Sequence, residues 1–427
     1  MTAFTPESAW AEAPSVPLSY DPLQAGESCD VAIVGGGILG LSSGLHAARQ
    51  GLSVRVVDAA GIGDRASGLN GGQVIAGFKY DPDWLITHFG EKRGAALAQF
   101  GASTPDAVFG LIEREKLDVP HRLNGWIQAA HSETALRAIE QRAKQWIAHG
   151  VPAKILNVAD VTKLTGARGY LGGWNDPRGG AIQPLAYTRE LARIAIEAGV
   201  RIAEKTRITR LRHENATWTL QSFDGKSLRA RTVIVATNAY ADGLIPGLAR
   251  TLLPLHSFQI ATEPLADDVL ATILPEGQVV SDSRRIVVYY RKGPDGRMLL
   301  GGRGSMAEPT NPNAWAHLEH ALKRLYPALA NAKIEKRWYG RVAVTIDYLP
   351  HVHEPEPGLI VAAGCQGRGI GLMTALGPRL VDYLATRDAD QIPFPITPIR
   401  PIPFHAFRNV GISAAIAWYR LVDMLER

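Results

Sequence analysis

The chain has 427 residues, 46% hydrophobic and 20% charged. That globular balance excludes a disordered chain and a disulfide-stapled miniprotein. Its 46 Lys and Arg against 41 Asp and Glu leave a net charge of +5, scattered rather than clustered, which argues against nucleic acid as a partner.

Residues 1–28 carry no basic-then-apolar leader pattern, and no apolar run reaches the roughly 18 residues of a membrane span. A cytoplasmic protein with no integral membrane association is therefore the expectation. Residues 30–34 (DVAIV) read as a buried strand, Gly35-Gly36-Gly37 as a turn, 38–50 as a helix ended by Gly51, and 53–58 (SVRVVD) as a second strand. Strand, glycine turn, helix, strand is one right-handed βαβ unit. Its glycines follow the dinucleotide fingerprint Gly35-x-Gly37-x-x-Gly40-x-x-x-Gly44. Gly35 allows the tight turn, Gly37 lets the backbone approach a pyrophosphate, and Gly40 and Gly44 let the helix pack close on the sheet. The helix N-terminus presents N–H groups to phosphates, and Asp58 at the second strand's end suits ribose hydroxyls. The fingerprint alone does not separate FAD from NAD.

Residues 59–77 read as a Gly-rich loop, 81–117 and 132–149 as helices, and 125–130 (GWIQAA) as a strand between them. A turn-rich loop is expected over 173–184, then a helix to residue 198, then strands over 200–208, 217–222 and 228–236. Residues 286–290 and 298–302 flank the turn GPDGR as a hairpin. A helix over 312–326, a strand over 358–363, the turn GCQGRGIG, a helix over 373–384 and a Pro-rich tail closing in an amphipathic helix complete the chain. His351 and His353 share a strand but lack a third ligand at a supporting spacing, so no metal is expected. Parallel α/β pieces alternate with antiparallel ones, which points to a Rossmann-type domain interrupted by a mixed-sheet domain, with the site between them. The first domain is expected over 1–95, 161–255 and 349–390. The second is expected over 96–160 and 256–348, with 391–427 as tail.

Four further blocks carry a family resemblance: GDRASGLNGGQ at 63–73, TVIVATNAY at 232–240, Trp338-Tyr339-Gly340 with Thr345 and Pro350, and GCQGRGIG at 364–371. With the fingerprint, they resemble the D-amino-acid-oxidase-like superfamily of FAD-dependent oxidoreductases over nearly the whole chain. The ASGLNGGQ loop, the VYYR strand with its following RMLLGG, and the tail IPFP…PIPFHAF are most similar to the gamma-glutamylputrescine-oxidising branch. The resemblance implies FAD held by Gly35, Gly37, Ile38, Leu39, Gly40, Asp58, Ala59, Arg65, Ala66, Ser67, Asn70, Gly71, Gly72, Gln73, Ile208, Ala236, Thr237, Gly367, Arg368, Gly369 and Ile370. It implies Tyr290, Arg368 and Trp338 at the reacting centre, with Trp174, Tyr339 and Asp347 as further candidates.

Relatives have Arg where this chain has Leu69, and His where it has Arg368. Covalent branches have Cys near positions 341–344, where this chain has Arg-Val-Ala-Val, so non-covalent FAD is expected. Amino-acid-oxidising branches hold the α-carboxylate with an Arg at the position of Val342. The expected activity is oxidation of an amine's carbon–nitrogen bond to an imine, hydrolysed to an aldehyde. The expected acceptor is oxygen, giving hydrogen peroxide, or another electron acceptor. Leu299, where the sarcosine-oxidase branch has a Lys that assists oxygen, keeps a dehydrogenase open, and deamination of an amino or imino acid is the alternative.

Overall fold

The computed structural model describes residues 5–12 and 18–425. Strand Glu27–Val34 lies between Ser227–Val235 and Val54–Val57, parallel to both, and Val54–Val57 pairs in turn with Arg201–Ala203. Leu359–Ala363 joins the far side of Ser227–Val235, also parallel. The hairpin Ile208–Glu214 with Thr217–Ser222 extends the sheet antiparallel. Side chains alternate across it as the two-residue period requires. Val31 and Ile33 enter a core beneath helices Ile38–Arg49, Glu91–Arg114, Pro184–Glu197 and Gly369–Thr386, while Ala32 and Val34 pack with Trp218, Val233 and Val361 on the opposite face.

Helices Ile38–Arg49 and Gly369–Thr386 touch almost backbone to backbone. A methyl group at Gly377 would sit 2.7 Å from the Ser42 hydroxyl, and Ser42 donates instead to the Thr374 carbonyl at 2.8 Å. This contact seats the second helix's N-terminus beside the fingerprint turn.

The second sheet runs Ile334–Val344, Leu253–Pro264, Arg297–Arg303, Val288–Lys292, Val279–Asp282, Trp126–Ala130, Gly172–Asp176, Lys154–Leu156. Its pairs are antiparallel except Val279–Asp282 with Trp126–Ala130. Helix Ala316–Leu325 covers one face through Leu318, Leu322 and Leu325.

The structure corrects several boundaries. The expected break at 95/96 falls inside helix Glu91–Arg114, whose Leu97, Phe100 and Val108 belong to the first domain's core. The break at 160/161 is also displaced, because Gly172–Asp176 is a strand of the second sheet. The strand expected over 200–208 is two strands separated by Lys205, which has positive φ. The helix expected from residue 373 begins at Gly369. The loop expected over 59–77 contains the short helix Ala66–Leu69 and strand Gln73–Val74, the latter in a small third sheet with Gly180–Ile182 and His121–Arg122. The tail helix Arg408–Leu425 docks through Asp423, whose carboxylate accepts from the backbone N–H groups of Arg285 and Ile286. Among the described residues, no helix is long and apolar enough to cross a membrane.

Candidate active site

A cavity of about 860 Å³ is lined from both large sheets. At its first end the strand Glu27–Val34 stops at Gly35, where φ is +113°. A methyl group there would lie 2.9 Å from the Ala236 carbonyl oxygen, so the two chains approach as only glycine permits. Gly37 caps helix Ile38–Arg49 without a side chain, and Ile38 N–H donates to the Ser67 hydroxyl at 3.1 Å, so the other N–H groups of the first turn can receive an anion. Gly40 does not line the cavity. Its added Cβ would fall 1.9 Å from the Gly35 carbonyl oxygen, so it fixes the helix against the turn. The Asp58 carboxylate accepts from Gly36 N–H at 2.6 Å and Ala60 N–H at 2.7 Å. Burial raises its pKa, while these bonds oppose the rise.

The ASGLNGGQ loop is held from within and from behind. Asn70 donates to the carbonyls of Ala66 and Ser67 and accepts from Gly72 N–H. Behind it, Gln259 and the Trp338 indole both donate to the Leu69 carbonyl, at 2.7 and 3.1 Å. The Trp10 indole donates to the Asn70 carbonyl at 2.8 Å. Trp338 is thus corrected from a reacting-centre residue to a clamp. It is 2% exposed, packs edge-on against Trp10, and does not line the cavity.

The GCQGRGIG turn enters the cavity with Gln366 and Gly367 at positive φ. Gly367, Arg368, Gly369 and Ile370 line the wall where helix Gly369–Thr386 starts. Cys365 lines it too. Thus every expected cofactor residue except Gly40 faces one cavity, although the segments lie more than three hundred residues apart. These features fit a dinucleotide: a glycine turn that admits close backbone approach, an oriented carboxylate, and a second helix N-terminus.

At the other end, the expected face of the VYYR strand is reversed. Tyr290 is buried in the second domain's core, edge-on to Tyr326 at 5.7 Å. Tyr289 lines the cavity, and its hydroxyl lies 2.7 Å from that of Ser257. The cause is Gly301 on the neighbouring strand. Tyr289 pairs with it, and an added Cβ would meet the Tyr289 ring at 2.2 Å, so the ring lies over the glycine. Trp174 sits behind Trp126, which forms the wall instead. Tyr339 packs against His256 outside the lining, and Asp347 is paired with His351 at 3.0 Å.

Val342 lines the cavity. Arg341 next to it is engaged by Glu308 at 2.9 Å and stacks over Tyr240. Arg368 donates to the Ala76 carbonyl and lies over the Trp126 ring. Burial pushes its pKa down to about 10. Sequence reasoning passed over Lys79 and Arg303, which line the same end. Burial first, and then the fields of Arg368, Arg142 and Arg303, push Lys79 down to about 8.

The profile "DAO: FAD dependent oxidoreductase" matches residues 30–383. The chain belongs to this FAD-dependent oxidoreductase family. It is 30% identical over 95% of both chains to gamma-glutamylputrescine oxidoreductase of Escherichia coli K12. It is 28% identical over 98% of both chains to the probable oxidoreductase OrdL of Rhizobium meliloti. Glycine oxidase from Geobacillus kaustophilus shares the fold, with a TM-score of 0.73 and 23% identity over 88% of this chain and 99% of that one. As a family member the chain is an FAD-dependent enzyme.

Proposed function

We propose that this enzyme oxidises the carbon–nitrogen bond of an amine, rather than that of a free α-amino acid, using non-covalent FAD. The observation that carries this is Val342. An α-carboxylate drawn beside the flavin needs a paired cation, because an unpaired buried charge carries a heavy desolvation cost. The cavity wall offers valine at that position, and the adjacent Arg341 is already engaged by Glu308. Similarity to a gamma-glutamylputrescine oxidoreductase supports the same reading.

In this reading, bound FAD would supply the hydride-accepting chemistry for the carbon beside nitrogen, and the protein supplies orientation and electrostatics. Gly35, Gly37 and Asp58 hold the nucleotide. The Asn70-braced loop and the 364–371 turn, both on the cavity wall, would hold the ring system. Tyr289 and Trp126 wall the amine in, each offering an apolar face beside a polar group. The substrate reacts as the neutral amine, its proton lost to solvent on entry. The resulting imine is released to water, which yields an aldehyde and ammonia or a smaller amine. Oxygen is the proposed acceptor, reduced to hydrogen peroxide.

Anaerobic mixing with a panel of amines and amino acids, followed by flavin absorbance, tests the substrate class. Acid precipitation tests the attachment. FAD should appear in the supernatant, and flavin retained on the wild-type chain but lost from Cys365→Ser would place a covalent link at the one cysteine lining the cavity among the described residues.

A further inference from the structure

We propose that Lys79, Arg303 and Arg368 together receive a carboxylate on the non-reacting arm of the substrate. The inference rests on the amine reading above and specifies which amines fit. All three side chains line the cavity.

The local charges do not balance. Each nearby acid already has its own arginine. Asp81 is held by Arg142 at 2.6 Å, Asp176 by Arg178 at 2.6 Å, and Asp282 by Arg284 at 2.6 Å. Arg142 is further tied to Gln128. Among the described residues, the side chains of Lys79 and Arg303 make no hydrogen bond and no ion pair, and that of Arg368 meets the Ala76 carbonyl and the Trp126 ring. Lys79 and Arg368 feel each other's charge, and burial disfavours all three cations. Like charges gathered in an enclosed space repel, and burial strips away the water that screens them. An entering anion relieves both costs at once. Lys79 is the informative member. Its side chain is exposed along the cavity wall, and among the described residues no acid pairs with it.

The chemistry selects a carboxylate at a distance from the reacting carbon. Val342 offers no cation, and Arg341 beside it on the same cavity wall is paired with Glu308, so the three charges are assigned to a group farther along the molecule. An amine whose far end is an acid, such as a γ-glutamyl diamine, satisfies both conditions. The cofactor's own phosphates are the other possible source of negative charge, and the arms of the test separate the two.

The test uses FAD-loaded enzyme and two readouts. In the first, glutarate is titrated as a non-reacting carboxylate, and the shift in flavin absorbance gives its Kd. Lys79→Gln should raise that Kd about tenfold or more, the scale of one charge-assisted hydrogen bond, and Lys79→Arg should restore most of the affinity. In the second, kcat/KM is compared for a γ-glutamyl diamine and for its carboxamide analogue. In Lys79→Gln and Arg303→Gln, the preference for the carboxylate should fall by about tenfold. An unchanged preference, or glutarate binding that ignores Lys79, overturns the proposal. FAD lost from the variants while Lys79→Arg retains it also overturns it, by assigning the charges to the cofactor. If no amine reduces the flavin, the amine reading fails, and the glutarate titration still decides the anion site by itself.

Discussion

The two ends of the cavity are built on opposite plans. The nucleotide end is made of backbone. Gly35, Gly37 and Gly40 each stand where a methyl group would strike a neighbour, and Asp58 beside that turn is oriented by two N–H donors. The substrate end is made of side chains: Tyr289 and Trp126 as walls, with Lys79, Arg303 and Arg368 as charges. The contrast teaches that one end is fixed by local geometry and tolerates no added atoms. The other is fixed by charge and surface and tolerates change with a graded loss.

The sharpest way to break the comparison is Gly40→Ala. The Gly35 carbonyl lies 1.9 Å from the added carbon and belongs to the backbone, so it cannot swing aside. A stability loss of about 3 kcal/mol or more is predicted, the upper range for overpacking, with little flavin retained. Denaturant melts and the ratio of flavin to protein absorbance check it. Asp58→Ala should come next, weakening FAD by about 1–3 kcal/mol, read by titrating apoprotein with FAD. Unchanged affinity would remove Asp58 from the site.

The substrate end should respond to pH where the nucleotide end does not. Lys79 is held near 8 in the free enzyme. A bound carboxylate favours the ammonium, so ligand affinity is at its plateau below pH 8. Above it the ligand must draw a proton with it, and affinity falls by up to about tenfold per pH unit. Glutarate Kd from pH 6.5 to 9.5 should show the slope in wild type and lose it in Lys79→Arg.

The smallest effects separate the two tyrosines. Tyr289→Phe removes the bond to Ser257 and should cost about 0.5–1.5 kcal/mol together with a few-fold loss in flavin reduction. Tyr290→Phe deletes a buried hydroxyl that sits among those of Tyr170 and Tyr326, away from the cavity, and should leave flavin reduction unchanged. The opposite ranking in flavin reduction would reverse the assignment of faces.

The same contrast explains what the sequence made legible. A glycine turn, its helix and the following acid lie within 24 residues, and their spacing is dictated by backbone contacts, so Gly35 to Asp58 could be read directly. The two glycine-rich loops were also readable, because positive φ and close approach restrict the residue types. The substrate end is assembled from positions 79, 126, 289, 303 and 368, whose meeting depends on how two sheets face each other. Period-2 alternation says that Tyr289 and Tyr290 point apart, but not which one faces the flavin. Gly301 held that information, since a glycine opposite an aromatic on the next strand marks where the ring lies. Trp338 was misplaced for a related reason: a tryptophan that braces a loop and one that lines a pocket look alike until its indole partner is known. Domain limits failed where an element of one domain lies in sequence beside the other, as in helix Glu91–Arg114 and strand Gly172–Asp176.

The central claim is that the cavity takes an amine whose carboxylate, if present, lies far from the reacting carbon. The most direct measurement is the anaerobic rate of flavin bleaching for a γ-glutamyl diamine against glycine and D-alanine in one buffer. Rapid bleaching by the γ-glutamyl diamine is expected, with slow or no bleaching by either amino acid. Faster bleaching by glycine or D-alanine would contradict it, and would mean that a cation other than a residue at position 342 holds the α-carboxylate beside the flavin.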